Sequence, residues 1–122
     1  MNYLLNPDAL PTFASGQAGI RARILNGIDH GVPGVSLILN ETDPDDGAPL
    51  HRHAYDELFV IEEGCCDFRI GDLSVRATPG QIVLLPAQVP HSFRNPGPDR
   101  LRMIAVHAAP RVELERVDSD ET

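Results

Sequence analysis

The sequence contains no lysine: all ten of its basic residues are arginines. That excludes Schiff-base chemistry, a phosphate-loop lysine and a lysine general base. Tryptophan is also absent, and aromatic residues make up only 5% of the chain. No apolar run is long enough to cross a bilayer as a helix and no leader is recognisable, so a cytoplasmic location is expected. The only cysteines, Cys65 and Cys66, are neighbours. On a strand they would point to opposite faces, which argues against a bridge between them and for free thiols.

Positive charge is scarce as well. Eighteen acids stand against ten bases, a net charge of −8. Residues 111–122 hold five acids and two arginines, so −3 of that total sits there and −5 remains on the body. An acidic body without a basic stripe repels phosphate backbones and anionic bilayers, so neither nucleic acid nor membrane is expected as a partner.

What is present points to a single domain. At 122 residues and 42% hydrophobic, the chain can bury a core without disulfides. The apolar residues come in short runs, at Ile20–Leu25, 35–39, 58–61, Cys66–Ile70, Leu73–Ala77, Ile82–Leu85, His91–Arg94 and Leu101–His107. Turn pairs such as Asn26-Gly27, Gly71-Asp72 and Pro79-Gly80 separate many of them. Only residues 112–117 carry a trace of helical period. Many short strands imply an all-β sandwich or closed barrel. The expected division is a lead-in arm over 1–19, a barrel over 20–110 and an acidic tail over 111–122, with 118–122 disordered. Runs 58–61 and 82–85 are apolar on both faces, which predicts a cover on the outside, most simply a second copy in a homodimer.

The segment from Gly47 to Glu57 carries the chemistry. On a strand, His51 and His53 project to one face, where two imidazoles can share a metal. Glu57 follows after the turn Ala54-Tyr55-Asp56 and can return a carboxylate to the same point. His91 begins a later strand after a turn-rich stretch. Three imidazoles and a carboxylate suit one divalent transition metal (Mn, Fe, Co, Ni, Cu or Zn), whereas Ca and Mg prefer oxygen shells. An octahedral ion so held keeps two positions open for water, dioxygen or a small-molecule substrate. Burying these four groups in a small β-domain without a metal would be costly.

The run Gly47-x3-His51-x-His53-x3-Glu57-x6-Gly64 resembles the first motif of the cupin superfamily, and Gly80-x5-Pro86-x-Gln88-x2-His91-x3-Asn95 resembles the second. The resemblance, to small single-domain cupins of the conserved-barrel type, implies a jelly-roll (double-stranded β-helix) barrel, often dimeric. It places the metal in the barrel mouth on His51, His53, Glu57 and His91. Two departures are visible. Three residues rather than five lie between Gly47 and His51, and Gln88 stands where the second motif has glycine. That position precedes a ligand, and an unusual backbone angle there falls more easily to glycine.

Around this set the candidates are weaker. Phe59 and Phe93 lie two residues from Glu57 and His91, hence on the same faces; each is read as core packing first and pocket lining second. His107 alternates with Leu101, Met103 and Ala105. It is read as polar rim at a strand end, with a proton-shuttle role as the minority reading. Tyr55 is read as surface, with a hydroxyl supplied at the mouth as the minority reading, Cys66 as packing, and Arg52 as pointing outward to an acid. No catalytic residue is assigned.

Function is expected to be either a metalloenzyme acting on a small organic molecule or a metal-bearing binding or sensing module; a storage role fits a short single barrel poorly. Cupin-like enzymes include dioxygenases, decarboxylases, isomerases and cyclases. No non-ligand acid or base stands out near the metal, which tilts the expectation towards a dioxygenase-like oxidoreductase.

Overall fold

Alternation along each strand decides which side chains are buried. In Leu101–His107 the residues Leu101, Met103, Ala105 and His107 are buried while Arg102, Ile104 and Val106 are half-exposed. That is the period-two pattern of a sheet with one covered face. The computed structural model describes residues 3–12 and 19–117, so the disorder expected for 118–122 lies outside the described residues.

The strands, in chain order, are β1 Ile20–Leu25, β2 Ser36–Thr42, β3 Gly47–Arg52, β4 Glu57–Glu63, β5 Cys66–Ile70, β6 Leu73–Ala77, β7 Ile82–Leu85, β8 His91–Arg94, β9 Leu101–His107 and β10 Glu115–Arg116. They form two five-stranded antiparallel sheets, ordered β1-β2-β9-β4-β7 and β10-β3-β8-β5-β6. The architecture is all-β, a jelly-roll barrel. Among the described residues no helix is long and apolar enough to cross a membrane.

Between the sheets lies one core, built around Phe59, Phe68 and Phe93 with ring centroids 5.2 to 6.0 Å apart. Ile61, Leu85, Leu101 and Met103 close it at 2% exposure or less. Each such side chain removed from water contributes about 2 kcal/mol. Cys66 is packing, as its alternation predicts: it is fully buried, and burial pushes its thiol pKa up, so it is inert.

Three local devices shape the mouth of the barrel. Pro49 sits within β3, where the register with β8 shifts between Ala48 and His51; a proline is tolerated in a strand at such a bulge. Gly64 turns β4 into β5 at φ +76°, and a Cβ there would meet the Arg100 carbonyl oxygen at 2.6 Å. Asn95 is fully buried and its amide donates to the carbonyls of Thr42 and Asp99, which pins the β8–β9 connection to the end of β2.

The carboxyl-terminal segment departs from the sequence reading. Residues 112–117 are not helical; the chain is extended, and β10 pairs with β3. Arg52 points outward and bonds Glu115 at 3.0 and 3.2 Å, the outside acid its position predicts. Tertiary pairing with β3 overrides a weak local period here. On the opposite sheet the outward residues Leu58, Ile82 and Leu84 are 39%, 58% and 65% exposed.

Candidate metal centre

Strand register brings the sequence-distant ligands together. His51 on β3 lies directly opposite His91 on β8. Glu57, the first residue of β4, lies opposite His107 on β9. His53 follows the end of β3, held there because its carbonyl accepts from the Gln88 N–H at 2.7 Å. Gln88 therefore takes the left-handed conformation that its motif glycine would take, at φ 70°. The turn carrying the ligands is tied to the 86–89 loop a second time, by the Asp56 carboxylate accepting from Ala87 N–H at 2.8 Å.

Each ligand histidine is fixed from behind. The Nδ1 of His51 faces the Pro49 carbonyl at 2.7 Å, that of His91 faces the Val89 carbonyl at 3.0 Å, and that of His53 faces the Glu113 carbonyl. A carbonyl only accepts, so Nδ1 carries the proton and the Nε2 lone pairs are free to face the centre. Nε2 of His53 and Nε2 of His91 lie 3.1 and 3.2 Å from Glu57 Oε1. Donors about 2.1 Å from a common ion, at right angles or tetrahedral angles, are roughly 3.0 to 3.4 Å apart. The donors of His51, His53 and His91 all fall within 4.8 Å of one another, as do those of His53, Glu57 and His107.

The buried atoms Nε2 of His53, Nε2 of His91, Nε2 of His107 and Oε1 of Glu57 have no hydrogen-bond partner in acceptable geometry. Four such atoms in one buried cluster is a costly arrangement for an apo protein and a natural one beside a divalent cation. The residues present fit a transition metal. Their electrostatics agree: burial, reinforced by the neighbouring imidazoles, pushes the pKa of His51 down to about 4, which keeps it neutral and able to ligate. Burial works against the Glu57 carboxylate, but the imidazoles of His107, His53 and His91 outweigh it and hold its pKa well below the usual range. Burial likewise lowers His53, yet the Glu57 carboxylate and the Glu113 carbonyl win and raise it.

His107 and Tyr55 correct the sequence reading. His107 is not rim: it is 1% exposed, with Nε2 2.9 Å from Glu57 Oε2. Tyr55 is half-buried rather than surface. Its hydroxyl lies 2.8 Å from His107 Nδ1 and 2.9 Å from the Glu113 carbonyl oxygen, and it accepts from Glu113 N–H at 3.0 Å. Burial, with the charges of Glu57 and Glu113, lifts the tyrosine pKa to about 12, so it stays protonated. Phe59 and Phe93 belong to the core and also line the cavity over the site. That cavity, about 290 Å³, is completed by Val112, Leu114 and Arg116 of the carboxyl-terminal segment. Sequence reasoning missed this wall, although Val112, Leu114 and Arg116 recur at the strand period of two.

A jelly-roll barrel with a histidine-rich pocket in its mouth defines the class, and comparison with known proteins agrees. The cupin domain family matches residues 39–107, and the chain belongs to that family. It is 33% identical over 100 residues to Protein SchB of Streptomyces halstedii, covering 79% of this chain and 69% of that protein. Auxin-binding protein 1 of Arabidopsis thaliana is 24% identical over 89% of this chain, which spans 60% of that protein. Among solved structures, the polyketide cyclase RemF from Streptomyces resistomycificus superposes with a TM-score of 0.80 at 20% identity, over 97% of this chain and 87% of RemF. Oxalate decarboxylase from Bacillus subtilis superposes at 0.77 and 14% identity, over 83% of this chain and 28% of that chain.

Proposed function

We propose that this chain is a metal-dependent enzyme that moves a proton on a small carbonyl compound, in the manner of an isomerase or cyclase. The observation that carries this is His107, a buried imidazole at the site that the cupin motifs do not supply. The lean towards oxygen chemistry rested on having no acid or base beside the metal; with His107 in place, proton transfer is the better-supported reading. That RemF is a polyketide cyclase supports the same direction, at the level of fold.

A divalent metal held by His51, His53, Glu57 and His91 would supply Lewis acidity to a substrate oxygen. The rest of the work falls to the chain. The buried Phe59 and Phe93 exclude water and hold an apolar body in the cavity, and Leu114 lines its outer wall. With its proton on Nδ1, His107 donates to the Tyr55 oxygen, and Tyr55 in turn donates to the Glu113 carbonyl. His107 Nε2 is then the atom that takes a proton from substrate, and the Glu57 carboxylate, with Oε2 2.9 Å away, stabilises the imidazolium that forms.

The test is α-proton exchange of β-diketones in D2O, followed by NMR with metal-loaded protein, beside an oxygen electrode. Exchange above the metal-only control, lost in His107→Gln at unchanged metal content, is the expected result. Oxygen uptake without exchange would restore the dioxygenase reading. A metabolite that raises the melting temperature and stays intact would point instead to a binding or sensing module.

A further inference from the structure

We infer that Arg116 is the anion-recognising group of the metal-site cavity, and that the ligand is a small organic acid: an apolar, ring-sized body bearing a carboxylate or similar oxyanion. The inference deepens the reading of the site proposed above and rests on that site being where a small molecule sits.

Register puts the guanidinium there. In β10, Glu115 lies opposite Arg52 and Arg116 lies opposite His51. The strand period therefore sends Glu115 outward, where Arg52 takes it, and turns Arg116 to the face that His51 occupies. Arg116 accordingly lines the cavity, together with Val112 and Leu114 at the same spacing.

Partnership sets it apart from the other arginines. Arg21, Arg52, Arg76, Arg94, Arg100, Arg102 and Arg111 each face a carboxylate within 4.0 Å. Arg23 and Arg69 donate to the carbonyls of Leu10 and Gly71. Among the described residues Arg116 has neither kind of partner. Seven of the ten arginines face an acid among the described residues, so an arginine with neither an acid nor a carbonyl partner is the exception. Among the described residues it is also the only Arg on the cavity wall, and Glu57, the only carboxylate there, has three imidazole nitrogens within 3.2 Å of its oxygens.

Cavity chemistry then describes the ligand. At about 290 Å³ the space is at the small end of ligand pockets, and much of its wall is apolar, with Phe59, Phe93, Ile38 and Leu114 among the lining residues. A guanidinium offers a planar pair of donors that matches a carboxylate in bidentate fashion. An acid anchored on Arg116 has its body against the phenylalanines and its other end towards His51, His53 and His107.

Phenylacetate and phenylacetamide share a body and differ in charge, so they serve as probes. Zinc-loaded wild-type protein, titrated calorimetrically, should bind phenylacetate at least ~10-fold tighter than the amide. Arg116→Gln should bring that ratio to about one, and Arg116→Lys should keep part of it, with zinc content and melting temperature unchanged because the side chain is exposed and is no ligand. If the ratio survives in Arg116→Gln, the carboxylate is held by the metal and the inference falls. It falls equally if zinc-loaded wild type binds neither probe. Wild type that takes up no zinc but still prefers phenylacetate in an Arg116-dependent way would instead sink the metal reading and leave Arg116 standing.

Discussion

Acidifying the metal-free protein tests the electrostatics of the site most directly. His51 has its pKa lowered from 6.5 to about 4, chiefly by burial and by the imidazoles of His91 and His53. A depressed pKa means that the unfolded chain binds a proton that the folded chain refuses. Stability is therefore full above pH 6.5 and is lost as pH falls towards 4. At pH 4.5 the unfolded imidazole is almost wholly protonated and the folded one mostly neutral, a loss of about 2 kcal/mol from this residue alone. His53 acts in the opposite sense: its raised pKa adds stability that is full below 6.5 and fades as pH climbs through the folded value. Glu57 adds stability above 4.5 that fades as pH falls through its folded value. Comparing wild type with His51→Gln isolates the first effect, because glutamine has no proton to refuse. Urea unfolding in chelator at pH 7 and pH 4.5 should show wild type losing about 2 kcal/mol more than the variant between the two conditions. Equal losses would mean that His51 is open to water or proton in the fold, and the buried, neutral, ligating imidazole would have to be given up.

Three further outcomes are expected. His91→Ala and His53→Ala should each lose most of the bound metal by elemental analysis, while a retained stoichiometric metal would break the ligand set. Gln88→Gly relieves a left-handed residue and should be neutral or stabilising by up to about 1 kcal/mol in urea unfolding, whereas a clear loss would show that the Gln88 side chain matters more than its φ of 70°. We propose that a second copy covers the exposed Leu58, Ile82 and Leu84, which face each other across β4 and β7 in the pairs Leu58–Leu84 and Val60–Ile82; Leu84→Arg should then convert a dimer to a monomer in analytical ultracentrifugation, and a monomeric wild type would refute it.

Much of this protein was legible before its structure. Period-two burial in Leu101–His107 and Cys66–Ile70 follows from the order of apolar and polar residues, because a strand has only two faces. The same rule puts His51 and His53 on one side and Arg52 on the other. What the rule cannot supply is which strands become neighbours. His107 looks like an ordinary strand-end histidine until β9 is paired with β4, and only that register sets it against Glu57. Tyr55 and Glu113 are 58 positions apart, so nothing local announces their hydrogen bonds.

Local spacing by itself determined the strand faces, the paired histidines and the kind of metal they suit, since those depend on side chains a few residues apart. The tertiary fold alone decided that β10 folds back along β3. That pairing set the Arg116 guanidinium on the cavity wall, while the pairing of β9 with β4 set a fourth buried imidazole, His107, beside the centre. Long-range strand pairing is chosen by the burial of whole faces at once, and no short stretch of chain contains that choice.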